Sequence, residues 1–246
     1  MTSPTARRAR TVLASATAVL LSLLVACTPA AEASVRPLTD SEAERLAVVR
    51  FRNFDAGVRA IEARIPGTEA GELTLDGWFD FTQHAGYVSA SAEESLGLVW
   101  WNDATIATRE TPVDEAPLPA PSDGWISGPL DPSSTALTTA LTLIGSLGAD
   151  RPENPQLLRQ SDAAWVRSDR IDGVDVDVFA GPSSDGETTA SSDAGPATGG
   201  ERTRYWVDAD GVLRRFEARL GETDEWTVVD LSDGNSAAVP AEVPGR

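Results

Sequence analysis

From Glu72 onward most of the chain repeats with a period of two, and this pattern constrains the fold more than any other feature. Leu73, Leu75, Phe79 and Phe81 fall on one side of an extended segment, and Thr74, Asp76, Trp78 and Asp80 fall on the other. Side chains alternate across a strand, so the segment reads as a half-buried strand. "GYVSAS", "GLVWWN" and "TIATRE" follow as short strands with short connections, which make an antiparallel meander. The proline-rich stretch "TPVDEAPLPAPSDG" is then expected to be a loop that ends it. Strands resume at "AAWVRS" and at "GVDVDVFAG", where Val174, Val176 and Val178 alternate with Asp175 and Asp177, one face dry and one wet. "TRYWV" and "VLRRFEARL" form a hairpin about the turn from Asp208 to Gly211, and "EWTVVDL" is the last strand. Residues 181–200 are Ser, Thr, Gly and Asp without an apolar period, a flexible insertion at about 183–200, and 233–246 read as a disordered tail.

Two stretches follow the helical period instead. Asp40 or Ser41 is positioned to cap a first helix, with Ser41 and Glu44 in capping-box spacing, and Ala47, Phe51, Phe54, Val58, Ile61 and Ile65 recur at steps of four and three. Asn53 and Gly57 are helix stops and "RAIEARI" also alternates, so the helix is expected to end near Asp55 and a strand to follow. The second helix starts at Asp131 and Pro132, a cap followed by proline in the first turn. Leu137, Leu141, Ile144 and Leu147, backed by Ala140, line one face as far as Gly148, with no charge from Pro132 to Gly148. A face that wide must be covered. "NPQLL" begins a further short helix behind its Asn cap.

Ahead of all this stands Cys27, the only cysteine, so no intrachain disulfide staples the fold. Arg7, Arg8 and Arg10 precede an apolar run from Val12 to Ala26, the layout of an export signal over residues 1–26. The run is short for a span, which needs about 20 apolar residues. Leu24, Val25 and Ala26 before Cys27 resemble the lipobox of bacterial lipoproteins. That resemblance implies a diacylglyceryl group on the Cys27 thiol, cleavage just before it, and a chain anchored at the outer face of the cytoplasmic membrane. Each buried acyl methylene contributes about 0.8 kcal/mol, enough for two or more chains to hold a protein in place. Residues 27–38 then read as acylated cysteine and tether, with a single domain over 39–232.

Removing residues 1–26 takes away three arginines and no carboxylate, so the formal charge moves from −18 to −21. Nucleic acid and anionic headgroups repel such a chain, so neither is expected as a partner.

Catalytic chemistry finds little footing. His84 is the only histidine, and no GxSxG turn is present to carry a nucleophilic serine beside it. No His and Cys cluster offers a metal site, and no cofactor is expected. With Gly211 in sixth place, "WVDADGVLRRFE" puts Asp208, Asp210 and Glu217 at calcium-loop positions, but Trp206 then occupies the first; a hairpin turn explains the segment better. Asp175 with Asp177, and Glu93 with Glu94, read as solvated acid pairs. Trp100 and Trp101, among seven tryptophans, are adjacent on one strand, so one of them must face away from the core, or both faces are covered.

The acylation signal, the N-terminal helix, the meander, the apolar mid-chain helices and the "YWVDADGVLRRFEA" hairpin together resemble the actinobacterial LppX/LprA/LprF/LprG lipoproteins. The resemblance implies an α+β, LolA-like fold: a strongly curved antiparallel sheet, a half-barrel, with helices on its concave face and a lipid-sized cavity between. Function is then expected to be non-enzymatic: binding, and transfer, of a lipid or other amphiphile. The residues expected to line the cavity are Phe79, Phe81, Leu98 and Trp100 on strands and Leu137, Leu141 and Ile144 on the helix. The alternative is an interaction or sensor lipoprotein of the same fold, with a filled core and an envelope protein as partner.

Overall fold

The computed structural model describes residues 35–68, 71–92, 95–111, 115–183, 202–221, 224–234 and 237–245. The expected signal, Cys27 and the start of its tether lie outside them, as does the expected insertion beyond Ser183. Every element below belongs to one unit, Ala33–Arg246.

Strand β1 (Arg36–Pro37) leads into helices α1 (Asp40–Ala47) and α2 (Val49–Ala56). The tether is thus shorter than expected: Arg36 and Pro37 pair with Trp165 and Ala164, and Leu38 is buried. Thr39 caps α1, two residues or one before the expected positions: its Oγ1 accepts from the Glu42 amide at 3.4 Å, and Glu42 Oε2 accepts from the Thr39 amide at 2.9 Å. The cap falls there because Glu42, rather than Glu44, has its carboxylate held over the helix start by Arg36. Gly57, at φ 70°, ends α2, and strands β2 (Val58–Thr68), β3 (Gly71–Asp80), β4 (Ala85–Ala92), β5 (Ser95–Asn102) and β6 (Thr105–Glu110) form the meander. The proline-rich loop does not end it, since β7 (Ile126–Pro129) returns to pair with β6.

Helix α3 (Ala136–Ser146) starts later than expected. Asp131 accepts from the amide and hydroxyl of Ser133 in a separate turn, and Thr135 caps α3 in a reciprocal box with Thr138. Helix α4 (Pro155–Gln160) follows behind Asn154, as its sequence indicates. Strands β8 (Ala164–Ile171), β9 (Val174–Ala180), β10 (Thr203–Asp208), β11 (Leu213–Arg219) and β12 (Trp226–Asp233) complete the sheet.

All twelve strands form one antiparallel sheet in the order β1-β8-β9-β10-β11-β12-β2-β3-β4-β5-β6-β7. The two halves meet where β12 pairs with β2, Val229 opposite Ala63. The sheet is open and curved, and α3 shows why it has to be. From β10 to β5 is six inter-strand steps, about 29 Å if flat. Yet α3, about 16 Å long and about 10 Å across, stands against Tyr205 and Phe216 on one side and Trp101 on the other. The sheet wraps around the helices.

The main core lies inside this wrap, joining Ala43, Leu46, Leu141 and Ile144 of the helices to Ile65, Leu75, Trp101 and Phe216 of the sheet. A second core lies on the outer face, where Tyr87, Leu98 and Trp100 are covered by Ala116, Trp125, Val239 and Val243. The segment expected to be a disordered tail therefore packs, because its Val239 and Val243 cover apolar outer-face side chains and Trp100 Nε1 donates to Pro240 O at 2.7 Å. At the other end of the sheet, Val176 and Val178 pack outward with Trp206, while Asp177 faces α1 and pairs with Arg45 at 2.5 Å. So the acid on the wet face of β9 looks toward the helices, held there by Arg45, Trp165 and Ser168.

Candidate functional site

Among the described residues two hollows open in the concave space, one on each side of α3. The first, about 220 Å³, is walled by Leu46 and Val49 of the first helix pair, Leu143 and Leu147 of α3 and its end, and Tyr205 and Phe216 of the sheet. Burial pushes the Tyr205 hydroxyl above its usual pKa. The second, about 350 Å³, has an apolar floor of Phe79, Trp101 and Leu141, with Arg50, His84 and Asp103 among its polar walls.

Arg50 and Ser146 line both hollows. The Arg50 guanidinium donates to Ser146 O at 2.8 Å and Gly148 O at 3.3 Å, and lies 3.4 Å from Glu153. These are carbonyls at the end of α3, where helix dipoles leave negative charge and unpaired acceptors. Arg50 thus clasps α3 to α2 at the wall between the hollows.

Of the expected lining residues, the fold brings Phe79, Phe81, Leu141 and Ile144 into one buried cluster, with Leu137 packed against it. Only Phe79 and Leu141 of these line the larger hollow. Leu98 and Trp100 do not join them: they belong to the outer core. The physical reason is that β5 is covered on both faces, so its apolar alternation fits either orientation, and the register opposite β4 puts Val99 and Trp101 inside. Trp101, Arg50, Tyr205 and Phe216 were missed as wall residues. The adjacent Trp100 and Trp101 were the available signal, since burying both requires a second covered face.

Trp101 is 1% exposed, and its indole nitrogen has no hydrogen-bond partner among the described residues. Its six-membered ring rests on Gly86, where a Cβ would collide with it, and against Phe79 at 5.5 Å between ring centres.

The remaining chemistry is structural. His84 sits in the β3–β4 turn at φ 52°, with Nδ1 3.7 Å from Asp103, and the nearby Ser146 hydroxyl donates to Leu143 O. Asp208 Oδ1 accepts from the amides of Asp210 and Val212, and Oδ2 accepts from Arg214, so this carboxylate fastens the hairpin turn that Gly211 closes at φ 79°. Among the described residues no group of three or more His, Cys, Asp or Glu is placed to hold a metal ion, and no helix is long and apolar enough to cross a membrane.

An open, curved, twelve-stranded antiparallel sheet with helices and hollows in its concavity defines an α+β architecture. No protein-family model matches the chain, and no curated protein matches it. Among solved structures it is similar to LprF from Mycobacterium bovis, at 14% identity and a TM-score of 0.45, covering 83% of this chain and 97% of that one. It is also similar to the Mycobacterium tuberculosis lipoprotein LppX, at 14% identity and a TM-score of 0.42, covering 78% of this chain and 96% of that one.

Proposed function

We propose that this chain is an exported protein, anchored by acylated Cys27 at the outer face of the cytoplasmic membrane, that binds a lipid or other amphiphile between α3 and the curved sheet and passes it on without chemical change. One observation carries the reading: two hollows, each with an apolar side and with Arg50 in the wall of both, open beside the buried core of the concave face. Ligand pockets run from about 300 to 1,000 Å³. The larger hollow falls at the low end of that range and suits a single short alkyl chain; a two-chain lipid requires α3 to move aside. A ten-carbon tail brings roughly 8 kcal/mol of gross transfer energy, sufficient to favour such a site over water.

The test is native mass spectrometry on residues 28–246, produced in a lipid-containing bacterial host and purified without detergent. The expected result is a released mass matching an amphiphile. Gly145→Leu supplies the control: a Cβ at Gly145 stands 3.6 Å from Phe79 Cζ, so a leucine there extends into the larger hollow, while helix propensity favours the change. That variant should fold and lose the ligand. A clean apo mass from the native chain, even after incubation with lipid vesicles, would leave a filled core with an envelope protein partner as the working account.

A further inference from the structure

We propose that a hollow on the outer face of the sheet binds a small organic ammonium ion, with the cationic nitrogen against the ring of Trp78 and beside the carboxylate of Asp76. The site lies outside the concave core, so it stands or falls apart from the amphiphile reading above.

The hollow, about 460 Å³, opens between the β8–β9 turn and strands β11, β12, β2 and β3. Strand register fixes which side chains face it. Arg215 lies opposite Asp230, Asp230 opposite Glu62, and Glu62 opposite Asp76. Trp78, two residues on from Asp76, lies opposite Tyr87 of the outer core. Directly paired residues share a face, as do residues two apart on one strand, so Glu62, Asp76 and Trp78 all project on the outer side. Ile171 and Val174, flanking the β8–β9 turn, supply an apolar wall.

The charge balance of the walls calls for a cation. Arg215 donates to both oxygens of Asp230, at 2.6 and 2.9 Å, and Arg214 donates twice to Asp208, at 3.0 and 2.8 Å, so both arginines of the hollow are already neutralised. Glu62 pairs with Arg64 at 3.2 Å. Asp76 and Asp172 also line the hollow, and their carboxylates have no ion pair among the described residues. Partial burial, with the charges of Glu62 and Glu115, pushes the Asp76 carboxyl above its usual pKa. The aromatic wall agrees. Trp165 carries Arg36 at 4.4 Å from its ring centre, Trp206 carries Arg167 at 5.5 Å, and Trp226 carries Arg204 and Arg219, each at 4.4 Å. Trp78 lines the hollow with no arginine over its ring among the described residues. An ammonium ion supplies ring and carboxylate together with the cation they lack, and its carbon body meets Ile171 and Val174. Among the described residues no three acids or histidines are placed to hold a metal ion, which favours an organic cation.

The experiment titrates residues 28–246 with choline and with its uncharged isostere, in which a quaternary carbon replaces the nitrogen. The native chain should bind choline about tenfold or more tightly than the isostere, because shape is held constant and only the charge is lost. Asp76→Asn, at an exposed position, should weaken choline by about five- to tenfold and leave the isostere within about twofold. Gly145→Leu, which extends into the larger concave hollow, should leave choline affinity unchanged. Equal affinity for the two probes, no choline binding, or an Asp76→Asn variant that binds choline like the native chain overturns the inference. So does loss of choline in Gly145→Leu, which would put the cation in the concave space. A second measurement needs no variant: the N-methyl protons of bound choline should show nuclear Overhauser contacts to the ring protons of Trp78. Their absence at saturating choline also overturns the inference, and amphiphile uptake is untouched by any of these results.

Discussion

Arg59 Nη1 donates to Asn53 Oδ1 at 2.9 Å, and Asn53 Nδ2 donates in turn to the Leu147 carbonyl at 2.9 Å. Arg59 also reaches Ser232 O at 2.9 Å and Leu213 O at 3.2 Å, so one guanidinium pins the helix layer to β2, β11 and β12 at once. Burial pushes its pKa below the usual arginine value, and Asp233 and Asp208 act in the other direction from a distance. All the acceptors it touches are neutral. Replacing Asn53 by Ala strands the Leu147 carbonyl and one arm of the guanidinium, so it should cost about 2 to 4 kcal/mol, read as a lower urea midpoint.

The start of α1 carries a pH-dependent contribution. Arg36 donates twice to Glu42, and with the Thr39 bonds this outweighs burial and holds the Glu42 carboxyl at about 2, down from 4.5. A depressed carboxyl stabilises above its unfolded pKa, and that stabilisation fades as pH falls from 4.5 toward 2. Arg36 is 41% exposed, so screening limits the gain to about 1 to 2 kcal/mol. Glu42→Gln should be less stable than native by that amount near neutrality, with the two unfolding curves converging in acid.

Gly86 is required by the ring above it. A methyl group there would drive into the six-membered ring of Trp101. Gly86→Ala should cost about 1 to 3 kcal/mol through overpacking, and calorimetry would show it as a lower unfolding temperature. On the function proposed above, a ring pushed into the larger hollow would also lower amphiphile uptake.

The outer face makes the C-terminal segment part of the fold. Trp100→Phe removes the bond to Pro240 O together with the pyrrole half of a fully buried indole, which should cost about 2 to 4 kcal/mol. Limited proteolysis should then cut between Gly234 and Gly245 faster than in the native chain. An unchanged cleavage rate would mean that Val239 and Val243 hold the segment without that bond.

Much of the strand layout was legible because alternation is local: Leu75 and Phe79 announce a strand without reference to any partner. The α4 cap was legible for the same reason, a side chain bonding an amide two residues away. The start of α3 was misplaced because Asp131 and Thr135 are both good caps, and the choice lies in the reciprocal bonds of Thr138. β1 and β7 were missed since they are 2 and 4 residues long and owe their extended shape to the strands beside them.

Local side-chain order determined where this chain is extended, where it is helical and which residues share a face, since those properties depend on periods of two and 3.6 residues. Which face looks inward was decided only by the tertiary structure. Alternation is unchanged when a sheet is viewed from its other side, and here both sides are covered: Trp101 under α3, Trp100 under a C-terminal segment some 140 residues away. The hollows, the Arg50 clasp and the Arg59–Asn53–Leu147 pin belong to the same category, because each is made by residues that meet only when the sheet has closed around its helices.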